Sequence, residues 1–167
     1  GEYAVTLTVT DDGTKTISKD TLRVTLSPEP VEAQRVWAVV VGVSEHRDSS
    51  LNLRYARKDA QAFHRFLTET ARVPPDQIQL LLDTQATLIE VRSSLDWLRR
   101  RADEDALVIV FFAGHGSQAT DLPLVDDEYF VLWDTKRNAI EATALRDAEF
   151  GQFLDRLVSN HVLVVFD

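Results

Sequence analysis

The sequence predicts an α/β fold, in which helices cover both faces of a mostly parallel sheet, preceded by a β-hairpin. Continuous apolar runs from Val36 onward are typical of strands that are buried on both faces. Amphipathic segments between these runs are typical of helices that pack on a sheet. The first 26 residues differ, because apolar and polar residues alternate there as in half-buried strands.

The amino-terminal segment forms one predicted hairpin. Apolar residues alternate with polar ones over Tyr3–Thr10 and again over Leu22–Leu26, and Asp11-Asp12-Gly13 between them supplies a turn. An isolated hairpin is marginal in water, so we expect its sheet partners outside this sequence. The residues GEYAVTLTVTDDG resemble the closing hairpin of a PKD-type (polycystic-kidney-disease) immunoglobulin-like repeat. The resemblance implies that residues 1–27 are the incomplete end of such a β-sandwich, and the proline-containing residues 28–34 read as a linker.

Residues 35–167 form the predicted α/β domain. Strands that alternate with helices imply right-handed crossovers and a mostly parallel sheet. Thr87, with Glu90 three residues later, predicts a capping box at the start of one helix. The predicted strands are Val36–Val43, Ile78–Leu82, Ala106–Phe112, Tyr129–Leu132 and Val162–Phe166. The predicted helices are Arg54–Leu67, Thr87–Arg101 and about Asp147–Ser159.

Composition excludes several classes of function. The 167 residues carry a net charge of −9, and their one basic run, Arg99–Arg101, suits the end of a helix rather than a nucleic-acid surface. No stretch approaches the roughly 18 consecutive apolar residues of a membrane span, so we expect no membrane segment in this chain. The absence of cysteine excludes disulfides, thiolate metal sites and cysteine nucleophiles within these residues.

A histidine between two glycines follows one predicted buried strand. His115 lies in Gly114-His115-Gly116, and the carboxyl ends of parallel strands are where reactive groups collect. The glycines would let the backbone turn sharply, and the Gly116 amide could stabilise an oxyanion. The sequence predicts either a catalytic imidazole or a histidine in an ordinary glycine turn. His46, His64 and His161 lack this setting, and we expect them at the surface or at helix edges.

Two carboxylates are further candidates. Asp167 follows the last predicted strand directly, at the edge where His115 is expected. Asp59 borders the apolar stripe of the first helix, and none of its neighbours three or four positions away is basic. An ordinary ion pair along the helix therefore does not explain Asp59, although it could lean to solvent or cap a loop.

Acidic residues are concentrated in one segment. Between Asp121 and Glu149 there are eight acidic and three basic residues. The segment could be a solvated loop, or it could attract a basic substrate or Ca²⁺. Its spacing differs from that of an EF-hand, and the chain has no phosphate-binding glycine motif, which disfavours a nucleotide-binding module.

Five blocks occur in order over residues 35–167: VWAVVVGVSEH, LRYARKDAQAFHRFL, LVIVFFAGHGSQ, DDEYFVLWDT and HVLVVFD. Together they resemble a caspase-like cysteine peptidase of the metacaspase-like branch. The resemblance implies that His115 is the general base and that the Gly116 amide helps to form the oxyanion hole. It also implies a nucleophilic cysteine two positions beyond Asp167, consistent with a spacing of about 50 residues between histidine and cysteine. No cofactor is implied as a requirement, although some metacaspases need Ca²⁺.

The resemblance also implies a substrate. Metacaspase-like enzymes have acids at the positions of Asp59 and Asp167, and two carboxylates in one pocket favour arginine or lysine. We therefore expect a polypeptide substrate that is cleaved after a basic residue. Ala113 departs from the family, which commonly has serine there, so one pocket hydroxyl would be missing. The PKD-like hairpin favours a secreted, periplasmic or cell-surface enzyme.

Other functions stay open at this stage. A non-catalytic caspase-like scaffold or signalling domain is the main alternative, and the residue at the nucleophile position would discriminate it. A serine hydrolase that pairs His115 with Ser117 or Ser159 is disfavoured, because the chain has no G-x-S-x-G elbow. Because the chain itself contains no cysteine, we expect it to be inactive as a peptidase.

Overall fold

The computed structural model describes residues 2–10, 16–25, 35–118 and 128–167, with side chains described for 35–116 and 128–167. The chain divides into two compact units, Gly1–Val31 and Glu32–Asp167. In the first unit, β1 (Glu2–Thr10) pairs antiparallel with β2 (Thr16–Thr25). The predicted hairpin strands are thus present, and the second begins earlier than the alternation suggested. The predicted turn Asp11-Asp12-Gly13 and the linker 28–34 lie outside the described residues.

The second unit alternates strands with helices, as its sequence predicts. Its elements are β3 (Val36–Gly42), α1 (Ala56–Arg65), β4 (Ile78–Leu82), α2 (Leu88–Arg101), β5 (Leu107–Ala113), β6 (Gly116–Gln118), β7 (Glu128–Phe130), α3 (Ile140–Thr143), β8 (Leu145–Arg146), α4 (Asp147–Asp155) and β9 (His161–Phe166). The main sheet has the order β4-β3-β5-β9, and all of its neighbouring strands are parallel. The α/β class and the parallel sheet are confirmed.

The sheet has an apolar core on each face. On one face, β3 and β5 pack with α2 and α4 around Val39, Leu98 and Phe150. On the other face, the same strands pack with α1 around Val40 and Ala60. Consecutive residues of β3 serve opposite faces, which is why its sequence is apolar throughout. Thr87 caps α2 as predicted, with its Oγ1 accepting a hydrogen bond from the Glu90 amide at 3.2 Å.

Two predicted elements differ at their ends, and hydrogen bonds explain each difference. Helix α1 begins at Ala56 rather than Arg54, since the Ser44 hydroxyl accepts a hydrogen bond from the Arg57 amide at 2.8 Å in the first turn. Helix α4 ends at Asp155 rather than Ser159. The Ser159 hydroxyl instead donates to the Ala106 carbonyl at 2.5 Å, and the extended chain continues into β9.

The predicted strand Tyr129–Leu132 is shorter and antiparallel. It forms β7 in a second sheet of order β6-β7-β8, which follows β5 along the chain. The chain turns at Leu132, whose amide donates to the Thr135 hydroxyl at 2.9 Å. Among the helices that the structure describes, none has the length and apolar character needed to cross a bilayer.

Candidate active site

The candidate site lies beyond the carboxyl ends of β3, β5 and β9. Hydrogen bonds between the strands continue past their ends: the Asp167 amide donates to the Phe112 carbonyl at 3.0 Å, and the Gly114 amide donates to the Asp167 carbonyl at 3.2 Å. These bonds hold the backbone of Asp167 beside the turn that carries His115. Two of the residues selected from the sequence are therefore neighbours at this edge. His115 is half-buried, and Asp167 is exposed.

The two glycines around His115 differ in their surroundings. Among the described glycines none has a positive φ, so the backbone does not use the left-handed region here. A Cβ at Gly114 would approach the Phe112 ring at 3.0 Å, whereas a Cβ at Gly116 would meet nothing within 4 Å. The close approach of an aromatic ring thus favours Gly114, and packing leaves Gly116 open.

The pairing of β6 with β7 orients the Gly116 amide. Gly116 stands opposite Phe130, and the Val131 amide donates to the His115 carbonyl at 2.9 Å. Hydrogen-bonded and non-hydrogen-bonded pairs alternate along antiparallel strands. Because His115 and Val131 form a hydrogen-bonded pair, the next pair, Gly116 and Phe130, is a non-hydrogen-bonded one. The Gly116 N–H therefore points away from β7.

Asp59 lies on α1, which packs against β3 and β5. The helix comes very close to β3, because a Cβ at Gly42 would lie 2.4 Å from the Ala60 Cβ and 2.8 Å from the Ala56 carbonyl oxygen. Gly42 therefore permits the approach that brings this helix to the carboxyl edge. Within the part of the chain that the structure describes, the half-buried Asp59 carboxylate makes no hydrogen bond or ion pair, including with His115 or Asp167.

His46 is a residue that the sequence interpretation placed wrongly. It is only 6% exposed, and its ring centroid lies 5.8 Å from that of His115, with the ring planes inclined at 45°. Neither of its ring nitrogens has a hydrogen-bond partner among the described residues. Burial is the main cause that lowers the pKa of His46, and the neighbouring His115 lowers it further. His64 and His161 are at the helix edge and the surface, as expected.

Asp83 anchors the loop that carries His46. This aspartate is 3% exposed and has a left-handed φ of 45°. Its Oδ1 accepts hydrogen bonds from the Ser44 and Glu45 amides at 2.8 and 2.9 Å, and its Oδ2 accepts one from Arg57 at 2.7 Å. One carboxylate therefore ties together the end of β4, the loop after β3 and the first turn of α1. Its position directly after the apolar run of β4 was the signal that could have identified it.

The other candidates do not gather at this edge. Ser159 precedes β9, so six strand residues, roughly 20 Å, separate it from the carboxyl ends, and it cannot pair with His115. Asp121, Asp126, Asp127 and the side chain of Ser117 lie outside the described residues. Glu149 pairs with Arg92 at 2.6 Å. Among the described side chains no group of three or more His, Asp or Glu could hold a metal ion.

Comparisons with known proteins agree with this architecture. The family described as "Caspase domain" matches residues 35–167. One of the solved structures that match is the crystal structure of protein GSU0716 from Geobacter sulfurreducens, with a TM-score of 0.61 and 20% sequence identity. That match covers 79% of this chain and 48% of the other, so this chain spans about half of that structure. No curated protein matches the sequence.

Proposed function

Since the chain belongs to the caspase domain family, whose members are cysteine peptidases, we propose that it is the histidine-bearing part of an endopeptidase that cleaves after arginine or lysine. The observation that carries the proposal is the junction of Gly114 with Asp167 beyond the sheet, next to a half-buried histidine. A nucleophile two positions after Asp167 would lie no more than about 7 Å along the chain from it. We expect a thiol there to lie within reach of His115.

The chemistry follows from these positions. His115 takes the proton of the thiol, and the thiolate sulfur bonds to the carbonyl carbon of the scissile peptide. The Gly116 N–H, which points away from β7, donates to the resulting oxyanion. His115 then returns its proton to the amine, the carbon–nitrogen bond breaks, and water hydrolyses the thioester that remains. A histidine–cysteine dyad of this kind needs no carboxylate on the imidazole.

The preference for basic residues is argued from two carboxylates. Asp59 is half-buried and makes no ion pair with any described residue, so its carboxylate is free of competing cations among them when a basic ligand binds. Asp167 supplies a second carboxylate at the same edge of the sheet. A guanidinium can bind a carboxylate through two parallel hydrogen bonds, whereas an ammonium binds as a point charge. We expect arginine to be preferred over lysine, and aspartate to be rejected.

The test uses a protein that continues through the residue two positions after Asp167, with reporter peptides that present arginine, lysine or aspartate before the scissile bond. We expect hydrolysis after arginine and lysine, and its loss in His115→Ala. Asp59→Asn and Asp167→Asn should raise KM for the arginine peptide, while the exposed Asp76→Asn on the opposite edge of the sheet serves as control. Equal cleavage after aspartate would refute the specificity, and a residue other than cysteine at that position would favour the non-catalytic scaffold.

The 167-residue chain is a second control, because it contains no cysteine. We expect it to hydrolyse none of the three peptides. Hydrolysis that disappears in its His115→Ala variant would mean that another nucleophile acts, and would refute the thiol mechanism. The hairpin β1–β2 supports a further part of the proposal, namely that a PKD-type repeat precedes the peptidase in an enzyme that works outside the cytoplasm.

A further inference from the structure

His46 is a buried imidazole that the mechanism above does not use. Both of its nitrogens lack a hydrogen-bond partner among the described residues, although burying an unpaired polar group costs stability. Its loop is held in place at several points. The His46 amide donates to Asn52 Oδ1 at 2.8 Å, and the Arg47 amide donates to the Trp133 carbonyl at 2.9 Å. The ring therefore lies against His115 because the fold holds it there.

We propose that His46 is a positioning residue for His115, and that one of its ring nitrogens accepts the N–H of the His115 imidazolium that forms during the reaction. A neutral imidazole has one donor and one acceptor nitrogen, so His46 can serve as an acceptor without losing a proton. General bases are commonly oriented by a third group, and no carboxylate of the described residues contacts His115. His46 would supply that third group. The proposal rests on the role proposed for His115.

The surroundings of His46 favour its neutral form. Burial and then the neighbouring His115 lower the pKa of His46, while Asp83, the Val131 carbonyl and Asp48 oppose that shift. The Val131 carbonyl lies near the ring, but not in hydrogen-bonding geometry. Because the lowering causes are the larger ones, His46 remains an uncharged acceptor when its neighbour takes up a proton.

The distance between the rings fits an interaction that tightens on protonation. Two imidazoles joined by an N–H···N bond of ordinary length have centroids about 5 Å apart. The observed separation is 5.8 Å, so a movement of less than 1 Å would close the gap. Catalytic hydrogen bonds are often long in the free enzyme and shorten in the complex. The Val131 amide holds the backbone of His115 through a 2.9 Å bond, so we expect the rings to close this gap by side-chain rotation.

The experiment measures protonation and needs no peptidase activity. The ¹⁵N-labelled chain is titrated between about pH 5 and pH 8, and the ring nitrogens are followed in long-range ¹H–¹⁵N spectra. The two histidines titrate as a pair, so the quantity compared is the midpoint of their first protonation step. In His46→Phe, which keeps an aromatic ring but has no acceptor, the first proton should bind about tenfold more weakly. The matched control His64→Phe should leave it unchanged.

A second variant keeps the test decisive if phenylalanine prevents folding. His46→Gln retains an acceptor oxygen but does not titrate, so His115 should take up its proton at the wild-type midpoint, in a single step. An unchanged midpoint in folded His46→Phe would overturn the proposal, and so would a tenfold loss in His46→Gln. Because these results are read from the nitrogens themselves, they stand whether or not a peptidase assay succeeds. A failed assay with the expected titration would instead count against the proposed function alone.

Discussion

Replacing Asp83 should destabilise the second unit by an amount that depends on which residue takes its place. In Asp83→Ala all three hydrogen bonds are lost, and the amide of buried Ser44 has no acceptor, which costs about 1–3 kcal/mol. Arg57 is half-exposed, so water compensates much of its loss. Alanine at a φ of 45° adds about 1–2 kcal/mol of backbone strain. We expect Asp83→Ala to lower the free energy of unfolding by about 3 kcal/mol.

Two further variants separate the carboxylate from the backbone. Asp83→Asn keeps an acceptor for the Ser44 and Glu45 amides and tolerates the left-handed region, so it should lose only the Arg57 ion pair, about 1 kcal/mol. Asp83→Gly loses the same hydrogen bonds as alanine but has no strain at this φ. After allowance for its more flexible unfolded chain, glycine should be about 0.5–1 kcal/mol less destabilising than alanine.

Urea unfolding followed by tryptophan fluorescence measures this order. All three tryptophans lie in residues 35–167, so the signal reports the second unit alone. The stability order should be wild type, then asparagine, glycine and alanine. If asparagine were as damaging as alanine, the two amide bonds would not be the main contribution. If alanine were more stable than glycine, the strain argument at Asp83 would be wrong.

Two other predictions concern the same edge of the sheet. Gly42→Ala should lower the free energy of unfolding by about 1–3 kcal/mol, because its Cβ would lie 2.4 Å from the Ala60 Cβ. Gly151→Ala has open space around it and should be neutral or raise that free energy by up to about 1 kcal/mol. Equal urea midpoints for the two variants would contradict this reasoning. Stability should also fall as the pH drops below about 6.5, the ordinary pKa of histidine, because the unfolded chain then takes up a proton that the lowered pKa of His46 denies to the folded chain. His46→Gln, which does not titrate and keeps an acceptor for His115, should remove this part of the pH dependence in thermal unfolding, and an unchanged slope would show that other groups cause it.

The sequence predicted the regular elements well because their signals are local. The apolar runs of β3, β4, β5 and β9 match the observed strands within a residue or so. The predicted end of a helix was wrong where a distant group determines it. The Ala106 carbonyl accepts a hydrogen bond from Ser159, and α4 ends four residues before the predicted position. Helix ends and loops depend on such partners, and periodicity carries no information about them.

The candidate site shows the same contrast between local sequence signals and contacts with distant residues. His115 and Asp167 could be selected from the sequence, because each follows an apolar run that predicts a strand, and parallel strands end at one edge. The last of these strands, β9, is more exposed than its apolar sequence predicts. His46 could not be assigned correctly, since its burial depends on contacts such as that of Arg47 with Trp133, 86 positions apart by residue number. The role of Asp83 likewise depends on Ser44 and Arg57, which only the folded chain brings to it.

By itself, then, the sequence determined the α/β class, the strand ends that carry the chemistry, and the two carboxylates proposed to bind a basic side chain. Only the tertiary structure decided which loop residues become buried beside His115 and which way the Gly116 amide points. The physical reason is that strands and helices bury residues at fixed periods along the chain. A loop has no such period, and its side chains take their environment from whatever the fold packs against them.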